Sequence, residues 1–123
     1  SNVAGDGMKK FITIISNTIA YHNSVVLIDE IENGLHYSAY KKLWEAIFAL
    51  ATNTNKQVFV TTHSKETLCR LSQMLEESPE YQQKLRLYTL EKTKLKGFQA
   101  YKYTYEGLSG ACENDIEIRS IVM

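Results

Sequence analysis

Two short, unbroken apolar runs with a helix-period stretch between them organise the first half of the chain. Val25-Val26-Leu27-Ile28 is continuous and largely β-branched, and it stops abruptly at Asp29-Glu30. Gln57-Val58-Phe59-Val60-Thr61 is a second run of the same kind. Uninterrupted runs of this sort suit strands buried on both faces, as in a parallel sheet. Between them, residues 38–52 place Tyr40, Leu43, Trp44, Ile47, Leu50 and Ala51 on one face at helical spacing. Strand, helix, strand is a βαβ unit, whose crossover is expected to be right-handed. Upstream, Gly5-Asp6-Gly7 reads as a tight loop, and Phe11, Ile12, Ile15 and Ile19 form an apolar face over a helix at 8–21. Downstream, Ser64 can cap a helix over 65–77, with Glu66 well placed in its first turn. The only proline, Pro79, follows that helix. The period then changes from helical to alternating. Residues 85–90 and 98–105 flank Lys94-Leu95-Lys96-Gly97 and read as a β-hairpin. Residues 106–123 read as a short helix and a frayed end.

Length and charge narrow the classes. The 123 residues suit one domain with one core. Fourteen basic and fourteen acidic residues leave a formal net charge of zero, which argues against a basic nucleic-acid platform. A larger parent protein could still bind nucleic acid. Cys69 and Cys112 match neither a metal-ligand spacing nor a secreted disulfide pattern, so a reducing, cytoplasmic home is expected. No apolar run approaches the roughly 20 residues of a membrane span, and no signal peptide is visible. No membrane association is therefore expected.

The candidate chemistry lies at the strand ends. Ligands of open α/β sheets bind outside the carboxyl ends of the strands. An aspartate at position 29 can hold Mg²⁺ through water, because that ion prefers hard oxygen ligands and keeps much of its hydration. A neighbouring carboxylate, Glu30, can orient or deprotonate a water for attack on a phosphate. Thr61-Thr62-His63-Ser64 leaves the second strand in the same manner, so His63 is expected near the two acids. Its imidazole can hydrogen-bond a γ-phosphate. Each feature alone has a plainer reading: acids often end an apolar strand because the loop is solvated, and a histidine can sit incidentally before a capped helix. Gly5-Asp6-Gly7-Met8, ahead of a helix, could bring backbone N–H groups to a phosphate or form an ordinary turn. It is not a Walker A loop, and no Gly-x-x-x-x-Gly-Lys-Ser/Thr occurs in the chain. Trp44 and the tyrosines of 101–105 read as packing and sheet-face residues, and His22 and His36 show no zinc spacing.

In combination these residues resemble the C-terminal part of the ABC-type ATPase superfamily of P-loop NTPases. The nearest branch holds structural-maintenance-of-chromosomes proteins, RecF-like repair ATPases and overcoming-lysogenisation-defect-type AAA ATPases. The resemblance covers roughly residues 3–70. It implies a partial P-loop NTPase lobe of α/β class, with a parallel βαβ core, helices on its faces and a C-terminal β-hairpin. Residue by residue, Gly5, Asp6, Gly7 and Met8 resemble the branch's variant signature loop, which departs from the Leu-Ser-Gly-Gly-Gln form of transporters. Val25 to Asp29 matches Walker B, with Asp29 as the Mg²⁺-associated acid. Glu30 matches the catalytic carboxylate. Glu32-Asn33-Gly34-Leu35-His36 sits where the D-loop follows, placing Asn33 near the nucleotide. His63 matches the switch histidine.

The resemblance also implies ATP sandwiched between two nucleotide-binding domains, hence a homodimer, with the signature loop acting in trans. ATP and Mg²⁺ are the implied cofactors, in the complete domain only. Lacking Walker A, the chain is expected to be inactive alone and to need the N-terminal half of its own domain. Without the P-loop strand, residues 57–61 would form an open edge, which residues 85–91 or another copy is expected to cover. Competing readings are a nucleotide-gated regulatory module without hydrolysis and an unrelated βαβ binding domain. DNA repair, antiphage defence and RNA-related work are all compatible with the branch.

Overall fold

The computed structural model describes residues 25–114 together with Lys9, Ile12, Thr13 and Ser16. Those four lie in helical conformation, within the helix expected at 8–21, and the Thr13 hydroxyl donates to the Lys9 carbonyl at 2.8 Å. The rest of that segment, the Gly5 to Met8 loop and the tail at 115–123 lie outside the described residues. The chain is organised as two compact units, residues 1–62 and 63–123.

The first unit is the βαβ element. Strand β1 (Val25–Ile28) pairs in parallel with β2 (Gln57–Val60), Val25 opposite Gln57 and Ile28 opposite Val60. A 3₁₀ turn at Tyr37–Ala39 leads into helix α1 (Tyr40–Thr54). Tyr40, Leu43, Trp44 and Ile47 are buried along one side of α1, as their spacing predicts, and the helix packs against β2. Asn55 ends α1 in the left-handed region (φ 53°), its N–H bonded to the Ala51 carbonyl. Asparagine tolerates that conformation better than most residues, which makes it a serviceable helix stop.

Burial of the strands on both faces is not observed. Ile28 is buried, but Val25 and Leu27 are 54% and 77% exposed and Phe59 is 57% exposed. Alternation puts residues 25, 27, 57 and 59 on the same side of this two-stranded sheet. A parallel strand is buried twice only where helices cover both faces, and among the described residues the exposure of Val25, Leu27 and Phe59 marks a face without such cover.

The second unit begins at His63. Ser64 caps α2 (Lys65–Glu77), its hydroxyl accepting from the Thr67 N–H at 3.1 Å, with Glu66 in the first turn. Leu68, Leu71, Met74 and Leu75 form its buried stripe. Pro79 opens a 3₁₀ segment, Pro79–Lys84. Strands β3 (Leu87–Thr93) and β4 (Gly97–Tyr103) form the expected antiparallel hairpin, with Thr93 opposite Gly97. Gly97 sits at φ 69°, the left-handed position that a three-residue hairpin loop requires of its closing residue. Helix α3 (Tyr105–Glu113), capped by Thr104, packs on α2 through Leu108 and Ala111.

In this unit one of the two expected covers for the open edge is removed and the reading of the cysteines is corrected. Residues 87–93 pair with their own hairpin partner rather than filling the edge at 57–61, and among the described residues β2 has β1 as its strand neighbour. A tight turn closes the local pairing at less loop entropy than a distant edge would. Second, Cys69 on α2 and Cys112 on α3 form a disulfide across a sequence separation of 43, with Cα atoms 5.7 Å apart. Sequence spacing is blind to this pairing, because packing of the two helices creates it.

Candidate functional site

The carboxyl ends of β1 and β2 hold a compact polar network. The strand ladder runs past the formal strand ends: the Thr61 N–H donates to the Ile28 carbonyl at 2.9 Å, and the Ile31 N–H donates to the Thr61 carbonyl at 3.0 Å. Because Ile28 and Val60 are register partners, Asp29 and Thr61 leave the sheet side by side. The Thr61 hydroxyl donates to Asp29 Oδ1 and accepts from the Glu30 N–H at 2.8 Å. One hydroxyl thus ties both acids to β2.

Glu30 adopts φ 48°, unusual for a residue with a Cβ. Left-handed backbone costs a non-glycine residue about 1–2 kcal/mol. The surrounding bonds hold it there. Asn33 donates its backbone N–H to the Glu30 carbonyl at 2.9 Å and its side-chain amide to Glu30 Oε2 at 2.5 Å. Ile31, wholly buried, anchors the turn directly after the acids. Next along, the Thr62 hydroxyl donates to Glu32 Oε2 at 2.6 Å, and Gly34 takes φ 77° to turn the chain towards Leu35.

Asp29 and the Glu30 backbone are thus joined through the Thr61 hydroxyl, and Asn33 is bonded to the Glu30 carboxylate, with Asp29 exposed and Glu30 half-buried. His63 follows Thr62 directly in the chain but belongs to the second unit, where it is exposed just ahead of the α2 cap. Gly5, Asp6, Gly7 and Met8 lie outside the described residues. His36 bonds Ser38 through Nδ1 at 2.9 Å and stacks on Tyr37. Thr61 and Thr62 are the residues that motif reading passed over. Counting register from Ile28 and Val60 finds the first of them, since the next residue on each strand must then be a neighbour.

The donor set fits a magnesium–nucleotide group. Among the described residues no three His, Cys, Asp or Glu side chains cluster as a metal cage. Mg²⁺ in nucleotide sites needs no such cage, because one or two carboxylates, phosphate oxygens and retained waters complete its shell. Asp29 offers a hard oxygen ligand in an exposed position, and Glu30 follows it directly in the chain.

Residues 1–69 match the family described as "AAA domain, putative AbiEii toxin, Type IV TA system". The chain belongs to this family, and its domain is of the AAA, P-loop ATPase type. It is similar to an ATP/GTP phosphatase of Helicobacter pylori, 37% identical over 93 residues that make up 73% of this chain and 25% of that protein. It is also similar to an uncharacterized protein of Methanocaldococcus jannaschii, 35% identical over 63 residues, 51% of this chain and 8% of that one. The chain thus spans a quarter or less of the length of these relatives. No solved structure matches it significantly. Among the described residues, no helix is long and apolar enough to cross a membrane.

Proposed function

We propose that this chain is the C-terminal lobe of an ABC-type ATPase and supplies the acids that act on the γ-phosphate of ATP. The observation that carries the reading is the pairing of Asp29 and Glu30 at the carboxyl end of a parallel strand, both tied to β2 through one hydroxyl. The similarity to an ATP/GTP phosphatase supports nucleotide hydrolysis as the reaction.

In this reading Asp29 holds the metal directly or through water, and bound Mg²⁺ supplies charge neutralisation at the phosphates. Glu30 takes a proton from the attacking water. Its carboxylate is presented by the left-handed turn and oriented by the Asn33 amide. Asn33, in the D-loop position, stands beside the nucleotide. His63 hydrogen-bonds the γ-phosphate, and Gly5, Asp6, Gly7 and Met8 contact the γ-phosphate held by a second protomer. The phosphate-cradling P-loop comes from the N-terminal half of the same domain, outside these 123 residues. A homodimer closes around ATP, the 123-residue chain alone is inactive, and the protein works in the cytoplasm.

The test is ATP hydrolysis by the full-length protein, wild type against Glu30→Gln. General-base removal typically costs about 10²–10⁴-fold in turnover. Turnover should fall by at least about 100-fold with ATP binding retained. Unchanged turnover would remove Glu30 from the chemistry. Absence of turnover in the wild type, with little effect of Glu30→Gln, would favour a nucleotide-gated module without hydrolysis instead.

A further inference from the structure

We propose that Thr61 is a positioning residue for the hydrolytic site: its hydroxyl sets the carboxylate of Asp29 and the left-handed turn at Glu30 together. The proposal rests on the reading of Asp29 and Glu30 as the metal-associated and catalytic acids.

A threonine hydroxyl has one proton to donate and two lone pairs to accept with. Here the proton goes to Asp29 Oδ1 and a lone pair receives the Glu30 N–H at 2.8 Å. The hydroxyl is itself held still. Thr61 donates its N–H to Ile28 and accepts from Ile31, so both its backbone groups are locked into the β1–β2 ladder. The bond to Oδ1 restricts rotation of the Asp29 carboxylate and thereby fixes the direction of Oδ2. The bond from the Glu30 N–H satisfies a donor at the residue whose backbone is least comfortable, at φ 48°. Asn33 holds the other end of Glu30 through its Oε2. A side chain without a hydroxyl at position 61 would release the metal-associated acid and the base at once, without touching either. Groups that orient metal-site ligands in this way typically matter 10–100-fold for metal affinity or activity.

The experiment uses the full-length protein and compares Thr61→Val, Thr61→Ala and Thr61→Ser with wild type and with Glu30→Gln. Turnover, KM for ATP and the Mg²⁺ concentration for half-maximal turnover are measured, with thermal melting as the check on folding. Valine keeps the branched shape and lacks the hydroxyl. Thr61→Val and Thr61→Ala should each lower kcat at least about tenfold and raise the half-activating Mg²⁺ at least about threefold, leaving KM for ATP within about twofold. Thr61→Ser should restore kcat to within about threefold of wild type. The proposal is overturned if Thr61→Val matches wild type in kcat and Mg²⁺ requirement while Glu30→Gln abolishes turnover. It is equally overturned if Thr61→Ser is as impaired as Thr61→Ala, which would make the site one of packing. Should Thr61→Val fail to fold, the alanine and serine variants carry the same comparison. If Glu30→Gln itself hydrolyses ATP normally, the reading of the acids fails and this proposal with it.

Discussion

Ile31 is the residue on which the acid-bearing turn rests, and its truncation should destabilise the first unit by about 3–4 kcal/mol. Its side chain has 0% exposure, directly after Asp29-Glu30, and its N–H is bonded to Thr61. Replacing isoleucine by alanine removes three carbons. At about 0.8 kcal/mol per buried carbon, the lost transfer energy is about 2.4 kcal/mol. Incomplete collapse of the space left behind adds a cavity term, giving the total above. Domain stabilities are typically about 5–15 kcal/mol, so this is a large fraction. The assay is urea unfolding of the 123-residue chain followed by tryptophan fluorescence. Trp44 is the sole tryptophan, is 5% exposed and belongs to the same unit, so its emission reports this unit. With m near 1–1.5 kcal/mol per molar urea, the midpoint should drop by about 2–4 M. Ile31→Val, which removes one carbon, should cost only about 1 kcal/mol. A midpoint shift under about 0.5 M for Ile31→Ala would refute the reasoning, since a residue so cheaply truncated cannot anchor the turn.

Two further outcomes follow from the second unit. Ser64→Ala removes the side-chain acceptor of the Thr67 N–H and should cost about 1 kcal/mol, read as a lower thermal midpoint, whereas Ser64→Asp should retain most of the stability. Reducing the Cys69–Cys112 bond, or replacing both by serine, should cost up to about 4 kcal/mol on the loop-entropy relation for a separation of 43. Urea midpoints with and without reductant check this, and identical midpoints would count against a stabilising cross-link.

The legible part of the fold is the part written in local periodicity. Helices α1 and α2, the Ser64 cap, both parallel strands and the hairpin follow from apolar spacing and turn residues, because each element satisfies its own backbone and shows one face to a core. The acids were visible for a related reason: Asp29 and Glu30 interrupt an apolar run at a strand end. What lay hidden depends on residues far apart in sequence. The expectation of strands buried on both faces failed at Val25, Leu27 and Phe59, because an apolar run records a preference and not the presence of a covering layer. The cysteine pairing was hidden because α2 and α3 meet only after folding.

The sequence by itself determined the βαβ order, the hairpin, and the two acids and histidine carried at the strand ends, since these depend on residue type and spacing along one chain. Only the tertiary structure decided how the acids are held. The parallel register of β1 and β2 sets Thr61 beside Asp29, and the left-handed turn at Glu30 brings Asn33 back onto its carboxylate. Hydrogen bonds of this kind span residues 31 and 32 positions apart, and no local pattern encodes which distant hydroxyl will arrive there.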